Sequence, residues 1–187
     1  MSRRAAVFLD RDGVLNESAL RNGVPVPPAT VDDFRLLPGV VEACQEFAAA
    51  GLVLVVVTNQ PDVSRGTLTV AELDRIHARL RDLLPIDAIY VCPHDDDDGC
   101  PCRKPRPGMI LQAAADLDLD LNQSVGVGDR WRDVDAARRA GVRSVYISWN
   151  DLEPLTNPAD ATFTSLFEAR QHVLASARTP DWGHGRS

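Results

Sequence analysis

The chain has 187 residues, with 27 Asp and Glu against 20 Lys and Arg and a net charge of −7. Its length suits one domain with a real core, and its 44% hydrophobic and 25% charged residues exclude disorder over most of the chain. The acidic balance disfavours a generic nucleic-acid binder, which needs excess positive charge to release counterions, and raises the question of how an anionic ligand would be held.

The first apolar run, residues 5–9, breaks at Asp10 and predicts a buried strand. A polar stretch from 11 to 38 follows, with Pro25, Pro27 and Pro28, and reads as a long functional loop. Residues 40–50 predict a helix with Val40, Val41, Cys44 and Phe47 on one face and Gly51 at its end. Residues 52–57 are six consecutive apolar residues, four of them valine, and predict a central strand that ends at Thr58 and Asn59. Thr69 and Glu72 form a capping-box pattern for a helix to about 84, where Pro85 stops it.

A short strand is expected at 88–91, then a loop rich in Cys, Pro and Asp, then a helix at 109–117. Residues 124–128 predict a strand, 133–140 a helix closed by Gly141, and 144–148 a strand. Ser165 and Glu168 form a second capping-box pattern before a last helix to about 177. Residues 1–177 are thus expected to form one domain, with 178–187 as a polar, frayed tail.

Alternating strands and helices predict an α/β fold: a Rossmann-like parallel sheet with helices on both faces. Ligands of such sheets bind beyond the carboxyl ends of the strands. Three expected strands end in residues suited to chemistry: Asp10, Thr58 with Asn59, and Asp129.

Asp10 and Asp12, two residues apart before Gly13, can share a divalent cation or divide nucleophile and acid roles; a solvated turn is the bland alternative. Asp129, after Gly128, can complete an oxygen-rich Mg²⁺ site. Asp133 is expected to complement the helix dipole rather than to ligate directly. Thr58, Asn59 and Gln60 can donate to phosphoryl oxygens, and Lys104 and Arg103 can neutralise a phosphate.

Cys92, His94, Cys100 and Cys102 make a four-ligand set with the spacing of a structural Zn²⁺ site. Four protein ligands leave no open position, so the ion's role would be to fix the loop presenting Arg103 and Lys104. Asp95 to Asp98 inside the loop read as a solvated acidic tip, and His77 falls on its helix with no partner motif. No secretory leader opens the sequence and no apolar stretch approaches about 20 residues. A soluble protein of a reducing compartment, the cytoplasm, is expected.

Together the pieces Phe8 to Gly13, Val57 to Gln60, Lys104, and Gly128-Asp129 with Asp133 resemble the four ordered motifs of the haloacid dehalogenase superfamily. The resemblance implies a Mg²⁺-dependent phosphomonoester hydrolase working through an aspartyl-phosphate. Asp10 would be the nucleophile, Asp12 the acid and base, and Thr58 and Lys104 the holders of the phosphoryl group. Mg²⁺ would sit on Asp10, the Asp12 carbonyl and Asp129.

The cysteine loop and Pro107-Gly108-Met109 are similar to the D,D-heptose 1,7-bisphosphate phosphatases, and to the closely similar histidinol-phosphate phosphatases. That likeness implies release of the 7-phosphate in nucleotide-heptose synthesis, with Asn59, Gln60 and Arg103 contacting substrate. Its partner would be a small phosphorylated sugar or similar ester, with no nucleic acid, no membrane, a monomeric state and no separate cap domain. The segment Pro61 to Gly66 departs from the usual Ser-Gly-Ile and Ala/Gly-Arg-Gly pattern, and Arg130 stands where Lys is common. Histidinol phosphate or another small ester is the alternative substrate, and a non-catalytic zinc-dependent module the alternative class.

Overall fold

A computed structural model describes residues 3–21, 24–149 and 153–177, so the expected tail at 178–187 lies outside the described residues. In chain order come β1 (Ala6–Leu9), β2 (Ala19–Arg21), β3 (Val24–Val26), α1 (Val40–Ala49), β4 (Val53–Asn59), α2 (Val70–Leu83) and β5 (Ala88–Cys92). Then follow α3 (Gly108–Leu117), β6 (Val125–Gly128), α4 (Trp131–Arg139), β7 (Arg143–Ile147), β8 (Ala161–Phe163) and α5 (Leu166–Ser176).

Six strands form one parallel sheet in the order β5-β4-β1-β6-β7-β8. The chain winds outward from β1 to β4 and β5, then crosses back to β6, β7 and β8. This reversal puts a crevice at the carboxyl end of β1, where doubly wound sheets bind ligands. Unbroken apolar runs fit strands covered on both faces. Val7, Leu9, Leu54 and Val56 pack on one side with Phe47 of α1, Ile76 and Leu80 of α2, and Leu166 and Val173 of α5. Ala6, Phe8, Val53, Val55 and Val57 pack on the other with Met109 and Ala113 of α3 and Ala136 and Ala137 of α4.

The structure differs from the expectation at two places. The stretch 11–38 is not all loop: β2 and β3 pair as an antiparallel hairpin. These strands have three residues each and Pro25 interrupts the pattern, so no periodicity announced them. β8 was also unforeseen, being three residues on the sheet edge. The central strand ends at Asn59 as expected, and the β5 ladder holds both Thr58 and Asn59.

Thr69 and Ser165 cap their helices by accepting from the N–H groups of Glu72 and Glu168. Neither glutamate returns the bond. Glu72 accepts from the Val31 N–H and Glu168 from Thr164, tying each cap to the preceding chain. Among the described residues no helix is long and apolar enough to cross a membrane.

Candidate active site

The Asp10 N–H donates to the Val127 carbonyl at 2.9 Å, the last sheet-like bond of β1. The chain then turns sharply: the N–H groups of Leu15 and Asn16 donate to the Arg11 carbonyl. Gly13 sits at φ 87°, and a Cβ there would collide with the Asp129 carboxylate and stand 2.8 Å from Trp149 Nε1. Only glycine serves at such a point.

Asp129 follows β6 directly, and Asp133 lies in the first turn of α4. A Cβ on Gly128 would strike the Asp133 side chain, so the Gly-Asp pair is what lets Asp133 fold back over the strand end. Asp133 accepts from the Arg130 N–H at 3.0 Å, as expected at a helix N-terminus. It also accepts Lys104 Nζ at 2.5 Å. The same ammonium donates to Asp10 Oδ1 at 2.7 Å and to the Val57 carbonyl at 2.8 Å. Asn59 holds Lys104 in place through its backbone, donating to the carbonyl and accepting from the N–H.

The electrostatics of this cluster are unbalanced. Asp10, Asp129 and Asp133 face one ammonium and sit close enough to share an ion. Burial pushes Asp10 up to about 7, with Asp133 and Asp12 adding to the rise and Lys104 opposing it. Burial, with Asp10 and Asp133 nearby, also raises Asp129 well above the usual carboxylate range. Burial alone would depress Lys104, but Asp10 and Asp133 outweigh it and raise the amine.

Asp129 Oδ2 accepts from Trp149 Nε1 at 2.8 Å, while its buried Oδ1 has no protein partner. An orphaned carboxylate oxygen beside a second buried acid fits a hard divalent cation such as Mg²⁺. Trp149 was not foreseen, since a lone indole after a strand carries no motif. Trp149→Phe should free Asp129 to rotate and weaken Mg²⁺ binding about 10-fold by calorimetry; unchanged affinity would count against this role.

Asp12 is placed differently. Arg11 donates to both of its oxygens at 2.9–3.1 Å, Asn16 to one at 3.0 Å and Gln60 to the other at 2.8 Å. Gln60 also donates to Thr58 Oγ1 at 2.8 Å. Gln60 and Thr58 are both buried, and neither lines the cavity described below. The Gln60 amide therefore braces Asp12 and Thr58 rather than facing the open space.

Cys92 at the end of β5, with His94, Cys100 and Cys102, brings four ligand atoms within 4.8 Å of one another. The Sγ atoms lie 3.2–3.6 Å apart and His94 Nδ1 lies 3.3–3.6 Å from two of them. Zn–S bonds of ~2.3 Å give tetrahedral edges close to these distances. The acidic tip is not merely solvated. Asp95 binds Arg65 at 2.5 and 2.8 Å, and Asp96 binds Arg103 at 2.8 Å and Arg132 at 2.7 Å. The Arg103 pairing holds Asp96 down at about 2. Sequence alone did not bring these partners together, because Arg65 and Arg132 come from opposite halves of the sheet.

A cavity of about 380 Å³ opens over this end of the sheet. Asp10, Asp12, Lys104 and Asp133 form its floor, and Asn59 with Arg65, Arg103, Arg130 and Arg132 its walls. Ser18 and residues 25–27 close one side, so the hairpin supplies a wall where loops alone were expected.

Fold and site together define the class, a haloacid dehalogenase-like hydrolase. The HAD-hydrolase-like family model matches residues 101–161. The chain is 38% identical over 149 residues to the D-glycero-beta-D-manno-heptose-1,7-bisphosphate 7-phosphatase of Pseudomonas aeruginosa, covering 77% of this chain and 81% of that one. It is 35% identical over 185 residues to the same enzyme of Escherichia coli (strain K12), covering 90% and 93%. The crystal structure of D,D-heptose 1,7-bisphosphate phosphatase from B. bronchiseptica, complexed with magnesium and phosphate, superposes with a TM-score of 0.77 at 32% identity, over 92% of this chain and 99% of that one. The chain belongs to the D-glycero-beta-D-manno-heptose-1,7-bisphosphate 7-phosphatase family of haloacid dehalogenase-like phosphatases.

Proposed function

We propose that this phosphatase removes the 7-phosphate of D-glycero-D-manno-heptose 1,7-bisphosphate through an aspartyl-phosphate on Asp10. The observation that carries the reading is the cluster of buried Asp10 and Asp129 with half-buried Asp133 beside Lys104. Three carboxylates outnumber one ammonium, and in their ionised form they would repel a phosphate dianion. Mg²⁺ held by Asp10, the Asp12 carbonyl and Asp129 would neutralise them and polarise the phosphoryl oxygens. The magnesium and phosphate bound to the B. bronchiseptica relative support that assignment.

Asp10 attacks phosphorus, and the bond to the ester oxygen breaks as that oxygen takes a proton from Asp12. A water then gives its proton to Asp12 and attacks the acyl phosphate, releasing inorganic phosphate and restoring Asp10. Lys104 holds phosphoryl oxygens, and buried Thr58, whose Oγ1 accepts from Gln60, keeps its hydroxyl proton to donate to one; all three Lys104 protons are already engaged, so a phosphoryl oxygen must replace one partner. Zn²⁺ on Cys92, His94, Cys100 and Cys102 fixes the loop that carries Arg103 and Lys104.

The cavity falls within the ~300–1,000 Å³ of small-molecule sites, and its four arginines suit a second phosphate on a sugar. Arg103 and Asn59 are the substrate-side contacts, with Gln60 acting behind them. Unpaired Cys44 and three cysteines gathered with His94 rather than in disulfides support a reducing compartment, the cytoplasm. A phosphate-release screen over both heptose bisphosphate anomers, histidinol phosphate and simple esters tests the reading. The highest kcat/KM is expected on a heptose bisphosphate, with one phosphate released; preference for histidinol phosphate would overturn the substrate.

A further inference from the structure

His77 lies on the inner face of α2, 5% exposed, and has no part in the chemistry just described. Its Nε2 stands 3.1 Å from Arg11 Nη1. Arg11 is fully buried between the two site aspartates, and its Nε and Nη2 grip Asp12 at 2.9–3.1 Å. A guanidinium has only donors, so His77 Nε2 must be the acceptor and the ring proton must sit on Nδ1. Burial, with Arg11 and Arg81 nearby, pushes His77 down to about 4, so it remains a neutral acceptor at ordinary pH. Asp12 takes the Nε and Nη2 edge of the buried guanidinium, and His77 is the side-chain partner of Nη1. The rigid guanidinium plane links these atoms, so whatever fixes Nη1 also fixes the direction from which Nε and Nη2 hold Asp12.

We propose that His77 is a positioning residue for the acid–base step: by accepting from Arg11 Nη1 it orients the guanidinium and, through it, the Asp12 carboxylate. This rests on the role of Asp12 given above. It separates His77 from a histidine that merely fills space, because only the step needing a proton from Asp12 should suffer.

Leaving-group dependence decides between the two. Protonation matters greatly when an alkoxide leaves and little when p-nitrophenolate leaves. Single-turnover phosphoenzyme formation is measured with the Mg²⁺-loaded full chain on heptose bisphosphate and on p-nitrophenyl phosphate. His77→Leu and His77→Asn should slow the sugar ester about 10- to 100-fold, the scale of a small misplacement of a catalytic group, with KM within about threefold. The aryl ester should change by less than about threefold, because its step draws little on the general acid. His77→Gln, whose longer amide carbonyl reaches Arg11, should restore most of the sugar-ester rate. Equal losses on both esters, no loss on the sugar ester, or Gln no better than Asn would each overturn the proposal. Should His77→Leu not fold, the contrast between Gln and Asn decides alone. A wild-type chain that forms no phosphoenzyme from either ester would instead overturn the Asp10 reading.

Discussion

Asp10→Asn should leave a folded protein that releases phosphate at least about 10⁴-fold more slowly than wild type, since loss of a nucleophile removes the covalent route altogether. The substitution keeps the shape of the side chain and an oxygen for Lys104, which retains the Val57 carbonyl and Asp133. Stability should not fall with activity. The Asp10 pKa is raised in the folded chain to about 7. Its ionisation therefore works against folding once pH passes the unfolded value, and the penalty reaches its full size above about 7.

Removing that charge should leave the metal-free Tm at pH 8 unchanged or higher. Thermal melts and acid-quenched phosphoenzyme assays on the same samples check both parts. Activity within tenfold of wild type would sink the nucleophile. A collapsed Tm would mean that Asp10 is needed for the fold.

Cys102→Ser should lower bound zinc from one ion per chain towards none and reduce kcat/KM about 10²- to 10³-fold, the usual loss when a stabiliser of transition-state charge is displaced. The size follows from adjacency. Cys102 immediately precedes Arg103 and Lys104, and Lys104 must reach Asp10 from a loop whose regular structure is one 3-10 turn at Asp96–Asp98. Asn59 pins the loop at one place, and Asp96 and the His94 carbonyl hold the Arg103 guanidinium. These ion pairs at the acidic tip are half exposed and add only modest stability.

Zn²⁺ on the cysteine cluster would be the restraint that holds when they exchange with water. The Tm should drop by about 5–10 °C, corresponding to roughly 2–3 kcal/mol for a chain of this size. Elemental analysis, calorimetry and phosphate release read the three effects. A variant that loses zinc but keeps its rate would remove the loop from the mechanism.

The sheet was legible because its strands are buried on both faces and so appear as short, unbroken apolar runs. The site residues Asp10, Thr58 and Asp129 were legible because each terminates such a run. The cluster of Cys92, His94, Cys100 and Cys102 was legible because its spacing is local. Three-residue strands escaped notice: β2, β3 and β8 carry too few residues for a pattern. That Gln60 meets Asp12, 48 residues away, was not legible, because the contact forms only when β1 and β4 pair.

The sequence by itself determined what is local or periodic: the two apolar faces of the sheet, the carboxylates at strand ends, and the metal-ligand spacing. Which charges meet was settled by the winding of the sheet. Trp149 closes one side of Asp129, Asp133 joins Asp10 around Lys104, and His77 reaches Arg11 behind Asp12. Coulombic and hydrogen-bond partners are chosen by distance and burial after the sheet has wound, not by separation along the chain. The answer to the acidic balance lies there too. Beside a net charge of −7, the fold concentrates Arg65, Arg103, Arg130, Arg132 and Lys104 around one cavity.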